Sequence, residues 1–119
     1  GVLASVIGHN RAAGRLIIDA GSLALSKDLG ANKHMPEVKY GLLCNPLTRE
    51  LHEGLAVGAA YQEHGVVPVS DPAWFAHLPI GAQVLVLPNH ICLTAAAYDG
   101  YYVVEGNAVI ANWSRVNGW

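Results

Sequence analysis

Charge is what this sequence has least of. Only 13% of its 119 residues are Asp, Glu, Lys or Arg, while 52% are hydrophobic. The seven Lys and Arg are scattered and the formal net charge is −2. No basic patch of the kind that nucleic acid requires is present. Long apolar runs are missing too. No stretch approaches the roughly 20 residues that cross a bilayer as a helix, and no signal-peptide pattern occurs. The two cysteines, Cys44 and Cys92, are too few for a disulfide-stapled scaffold, so a reduced, cytoplasmic protein is expected. There is no P-loop, no G-x-G-x-x-G, no G-x-S-x-G and no C-x-x-C.

Helical periodicity is also scarce. No segment keeps a 3.6-residue period over ten residues with caps at both ends. Strand signals dominate instead. Val2–Ile7 and Arg15–Asp19 read as a hairpin around a polar turn with Gly14. Val38–Cys44, Leu55–Gln62, Val66–Val69 and Gln83–Leu87 are further candidate strands, the last of them buried. Tyr101–Val104 and Ala108–Trp113 flank the short turn Glu105-Gly106-Asn107. Leu25–Gly30 and Asp71–Leu78 read as loops or single helical turns. The pattern predicts a mainly β fold over residues 1–119, an antiparallel β-barrel or sandwich domain with long loops. The apolar surplus suggests a face covered by another domain or subunit. Gly1 enters directly into a strand-like run and Trp119 follows a Gly with no polar tail. Both ends therefore read as cut from a longer polypeptide.

Three short constellations could carry chemistry. The first is Pro88-Asn89-His90-Ile91-Cys92, in which an extended backbone would point His90 and Cys92 to the same face. Imidazole and thiolate both bind zinc, at roughly 2.0–2.3 Å. Two protein ligands leave positions open for water or substrate, which suits a Lewis acid. A packed cysteine beside a hydrogen-bonded histidine is the alternative. The second is Gln62-Glu63-His64-Gly65, either an acid/base or metal-ligating pair or a polar turn. The third is Asp19-Ala20-Gly21-Ser22, whose carboxylate and hydroxyl suit backbone amides in a tight turn. His9, His34, His52 and His77 lie in polar contexts and are expected at the surface. Trp113 and Trp119 are expected to pack as core.

Taken in order, Asp19-Ala-Gly-Ser-x-Ala-Leu-Ser26, Gln62-Glu-His-Gly65, Pro88-Asn-His-x-Cys92-x-Thr94 and Trp113-x-Arg115 resemble the C-terminal domain of the D-serine dehydratase and D-threonine aldolase family. These are metal-activated pyridoxal-phosphate enzymes of the alanine-racemase fold type. The resemblance implies an N-terminal α/β barrel, absent from this chain, that carries the Schiff-base lysine and binds pyridoxal phosphate. It also implies that His90 and Cys92 are the metal ligands. The cysteine favours Zn2+, with Mn2+ possible. The implied activity is that of a lyase on small D-3-hydroxy amino acids. D-serine dehydration to pyruvate and ammonia is its leading form, with the metal activating the 3-hydroxyl. C–C cleavage of D-threonine or 3-hydroxy-D-aspartate is the alternative of the same class. A non-catalytic β module for interaction or oligomerisation is the alternative of another class. The implied partners are the barrel domain, the amino-acid substrate and a second subunit of a homodimer, with neither nucleic acid nor membrane.

Overall fold

The computed structural model of the chain describes residues 1–116. Strands β1 (Val2–Asn10) and β2 (Arg15–Ile18) form the expected hairpin. They are followed by β3 (Gly41–Cys44), β4 (Leu51–Ala56), β5 (Ala59–Ala60), β6 (Gly65–Pro68) and β7 (Gln83–Pro88). These seven strands make one antiparallel sheet in the order β4-β3-β7-β1-β2-β6-β5. The two ends of that order, β4 and β5, are neighbours in the chain. Only Val57-Gly58 separates them. Val57 donates its amide to Gly41 at the β3 side, and Gly58 donates its own to Val66 at the β6 side. The sheet therefore rolls up, and its two edges meet in one bent strand. The single strand expected over Leu55–Gln62 is thus corrected to two short pieces, because one stretch must serve both edges.

Inside the roll, alternate residues of each strand are buried, as a two-residue period requires. Ala4 and Val6, Leu16 and Ile18, and Val84 and Val86 are all at most 3% exposed. Leu43, Leu55, Val57 and Val67 complete the core. Three helices of one turn each fill in around it: α1 (Ser22–Leu25), α2 (Trp74–His77) and α3 (Ile91–Ala95). Leu25 comes from α1, and Phe75 and Leu78 from α2 and its end. Strands β8 (Gly100–Glu105) and β9 (Ala108–Ser114) form a separate hairpin. Trp113 on β9 is 63% exposed rather than core, since this hairpin stands outside the roll. Its expected partner Trp119 lies outside the described residues.

Two of the histidines expected at the surface are part of the structure instead. His9 lies on β1 with its Nε2 on the Leu78 carbonyl at 2.8 Å. His52 lies on β4, edge-on to Trp74, and burial lowers its pKa. His34 and His77 are exposed as expected.

One contact sets how the chain leaves β2. Gly21 lies so close to the turn at Tyr61–His64 that a Cβ there would stand 2.4 Å from the Tyr61 carbonyl oxygen and 2.5 Å from the His64 nitrogen. Both neighbours are backbone and cannot swing aside. Gly21→Ala should therefore cost about 3 kcal/mol of stability, as overpacking of a rigid site does. Gly8→Ala serves as the control, because its Cβ would meet only Ile17 side-chain atoms at 3.6 Å. That substitution should change stability by less than about 1 kcal/mol. Denaturant unfolding of both variants checks the contrast.

Candidate metal centre at the end of β7

Strand β7 ends at Pro88, and the chain does not stay extended through Cys92. His90 keeps an extended backbone (φ −129°, ψ 101°) but serves as the N-cap of α3, while Cys92 is the second residue of that helix. The same-face argument for a strand therefore does not hold for this pair. The run Ile91-Cys-Leu-Thr-Ala-Ala-Ala97 is rich in alanine, the best helix former, and it turns as soon as the sheet ends. His90 and Cys92 remain close in the chain, one at the helix entrance and one on its first turn. Cys92 is exposed.

The motif around them is heavily braced. Asn89 accepts the Ala31 amide at 3.0 Å and donates to Asn32 Oδ1 at 2.7 Å and to the Lys39 carbonyl at 2.6 Å. Its own amide donates to Tyr40. Asn89 thus pins the loop between α1 and β3, a task that its place in the sequence did not reveal. Buried Thr94 donates to the Leu25 carbonyl at 2.8 Å and lies 3.0 Å from that of His90. The Tyr98 hydroxyl donates to Ala24 at 3.0 Å, and that of Tyr101 to Ala95 at 3.0 Å. Both tyrosines are therefore committed to bracing α1 and α3, and burial pushes the Tyr98 phenol up.

The bracing brings in one residue that the motif did not contain. The Oδ2 of Asp28 faces His90 Nδ1 in a short, direct contact, and its Oδ1 accepts the Gly30 amide at 2.7 Å. The His90 bond first, and the Gly30 bond second, hold the Asp28 carboxyl below its ordinary value. The two side chains are 38% and 32% exposed, so the pair is open to solvent or to a second surface. Among the described residues, none is hydrogen-bonded to His90 Nε2. A carboxylate on one imidazole nitrogen, with the other nitrogen left without a protein partner, is the usual setting of a metal-ligating histidine. The donor set therefore fits a metal in kind.

The other sequence candidates fall elsewhere. Glu63 sits in an exposed turn 3.5 Å from the Gln62 amide nitrogen, and His64 stacks on Tyr61 with ring centroids 4.9 Å apart. That turn receives the amides of Ser22 and Leu23 and so seats α1. Asp19 accepts the amide of Ser5 on β1 at 2.7 Å, so its carboxylate serves a backbone amide as expected, but across to a neighbouring strand and not within a tight turn. No three His, Cys, Asp or Glu side chains converge among the described residues. An open apolar groove of about 930 Å³ lies between the roll and the outer hairpin, lined among others by Leu3, Leu85, Ile91, Tyr101 and Trp113.

With this geometry in place, the relationships of the chain are informative. Residues 1–104 match the family described as "Putative serine dehydratase domain", and the chain belongs to that family. It is 35% identical over 122 residues to D-threo-3-hydroxyaspartate dehydratase of Delftia sp. (strain HT23), covering 99% of this chain and 32% of that enzyme. It is also 35% identical over 120 residues to D-serine dehydratase of Schizosaccharomyces pombe (strain 972 / ATCC 24843), covering 99% of this chain and 26% of that enzyme. The chain thus spans between a quarter and a third of the length of these two relatives. Its fold matches solved structures over 99% of its residues. One is an alanine-racemase-like protein from Idiomarina loihiensis at 37% identity and a TM-score of 0.87, where it covers 31% of that chain. Another is the Delftia dehydratase at 33% identity and a TM-score of 0.86, with 32% of that chain covered. Structures of D-threo-3-hydroxyaspartate dehydratase include a variant with a histidine replaced by alanine. They also include a metal-free form with alanine replacing a cysteine two positions further on.

The two thiols should report their surroundings directly. Cys92 is exposed, whereas Cys44 is buried, donates its thiol to the Leu85 carbonyl at 3.3 Å, and has its pKa pushed up by that burial. In the metal-free chain, a chromogenic disulfide reagent at pH 8 should consume one thiol per chain rapidly. The second should react only after unfolding, and Cys92→Ser should remove the fast phase alone.

Proposed function

We propose that this chain is the metal-bearing β domain of a pyridoxal-phosphate-dependent lyase acting on D-3-hydroxy amino acids, with His90 and Cys92 as its metal ligands. One observation carries the assignment. The histidine and cysteine replaced in the related dehydratase are two positions apart, as His90 and Cys92 are, and here the His90 ring is held through Nδ1 by a carboxylate. Both residues ligate as their deprotonated donors, neutral imidazole and thiolate. The thiolate favours zinc over manganese and favours a reduced, cytoplasmic setting. A bound metal would supply a Lewis acid that draws charge from the 3-hydroxyl oxygen of the substrate. In D-serine dehydration that oxygen leaves with two protons as water, and the remaining enamine hydrolyses to pyruvate and ammonia.

This chain's own residues bind and orient. His90 and Cys92 hold the ion, and Asn89, Thr94 and Tyr98 fix the loop and the helix that carry them. None of the chain's three lysines offers an enclosed seat for pyridoxal phosphate. Lys27 and Lys33 are exposed and Lys39 is half-buried. That cofactor belongs to the part of the relatives' length that this chain does not span. The exposed apolar residues Leu3, Ile91 and Leu93, together with Trp113, support a face covered by that domain or by a second subunit. Dehydration is preferred to C–C cleavage because both relatives at 35% identity bear dehydratase names. The substrate is D-serine or its 3-carboxylated analogue.

In the metal-loaded, cofactor-loaded enzyme, His90→Ala and Cys92→Ala should each lower turnover of D-serine or D-threo-3-hydroxyaspartate at least a hundredfold, while the cofactor's visible absorbance stays. Release of 2-oxo acid and ammonia is the readout. Full turnover by either variant after chelation would remove the assignment. Glycine and an aldehyde as products would transfer the enzyme to the C–C lyases.

A further inference from the structure

We infer that Asp28 is the positioning residue of the metal site. It fixes the tautomer of His90 so that Nε2 is the nitrogen presented to the ion. The inference rests on the ligand assignment proposed above and deepens it.

Three features of the geometry point to it. First, both carboxylate oxygens of Asp28 are engaged in different directions, Oδ1 on the Gly30 amide and Oδ2 on His90 Nδ1. The group can neither rotate nor slide without losing one of them. Second, a carboxylate only accepts hydrogen bonds, so the imidazole nitrogen facing it must carry the proton. In a neutral ring that leaves the lone pair on Nε2, and which nitrogen ligates is decided by the bond made at the other. Third, the residues flanking Asp28 are anchored independently of any metal. The Asp28 amide donates to Ser26 Oγ at 3.3 Å, and the preceding helix α1 is tied to α3 through Thr94 and to Tyr98. Asp28 and His90 are 62 residues apart in sequence. Their meeting is a product of the fold rather than of a local turn.

The same geometry makes a sharp forecast for Asp28→Asn, a change of nearly equal size. The asparagine has one oxygen for two donors. Placed with its oxygen on the Gly30 amide, it turns its NH2 group towards His90 Nδ1. The ring can then relieve the donor–donor clash by moving its proton from Nδ1 to Nε2. A protonated Nε2 cannot ligate. The variant should therefore keep its fold and bind the metal more weakly.

The test uses the full chain freed of metal by chelation at pH 8, and the same chain titrated with Zn2+ against a chromophoric chelator. In the unsubstituted chain, long-range nitrogen–proton correlations of the ring should show Nδ1 protonated and Nε2 bare. In Asp28→Asn they should show the reverse, with an unchanged unfolding midpoint and Zn2+ binding weakened tenfold to a hundredfold, as loss of an outer-shell partner does. Asp28→Glu, which restores a carboxylate, should recover part of that affinity. A bare Nδ1 in the unsubstituted chain would overturn the inference. So would an Asp28→Asn chain that binds Zn2+ as tightly as the parent while His90→Ala does not. Unchanged Zn2+ binding in His90→Ala would instead remove the ligand assignment itself, and the inference with it.

Discussion

The contact on which the site depends is backbone against backbone, between Gly21 and the turn Tyr61–His64. No side chain fits between them, and the amides of Ser22 and Leu23 donate to the carbonyls of Tyr61 and Gln62 across it. That contact fixes where α1 starts. From there α1 offers the carbonyls of Ala24 and Leu25 to Tyr98 and Thr94, which places α3 and the loop before it. Three residues beyond α1 the chain reaches Asp28, which meets His90. The three short motifs of the sequence are thus three sides of one joint. The first supplies the closely packed segment, the second the turn it packs on, and the third the histidine and cysteine that it positions.

This arrangement explains why so little charge suffices. Most polar side chains near the joint are spent on backbone groups, as those of Asn89, Thr94, Tyr98 and Asp19 are. Buried side-chain polar atoms without a partner are absent among the described residues, in keeping with the cost of leaving such groups unpaired. At the end of β7, His90 stays partly exposed and Cys92 exposed. The apolar surplus has a separate origin. Part of it lies on the outer hairpin, where Tyr102, Val109, Ile110 and Trp113 are 58–75% exposed.

Local pattern carried much of the fold. The hairpins β1–β2 and β8–β9 and the buried strand β7 follow from alternation and turn residues, and each lies close to where those signals put it. The bent strand that closes the roll was not legible. Nothing within Leu51–Ala60 records that its first half pairs with β3 and its last two residues with β6. For the site, the histidine and cysteine were visible as a spacing. The extended backbone that would put both on one face does not continue past the sheet, because the alanine-rich run after His90 turns into helix. Asp28 was invisible, since its partner lies 62 residues away and only the joint brings them together. Its one local trace is the Asx turn to Gly30, a pattern that many loops share.

The central claim is that one nitrogen of His90 and one sulfur of Cys92 hold a metal whose remaining positions are open. X-ray absorption at the zinc edge of the zinc-loaded protein measures this directly. The account predicts one sulfur at about 2.3 Å and one imidazole nitrogen at about 2.0 Å, with the rest of the shell made of light oxygen or nitrogen donors that change when a D-3-hydroxy amino acid is added. A shell without sulfur, or a closed shell of four protein nitrogen and sulfur donors that ignores the substrate, would contradict it.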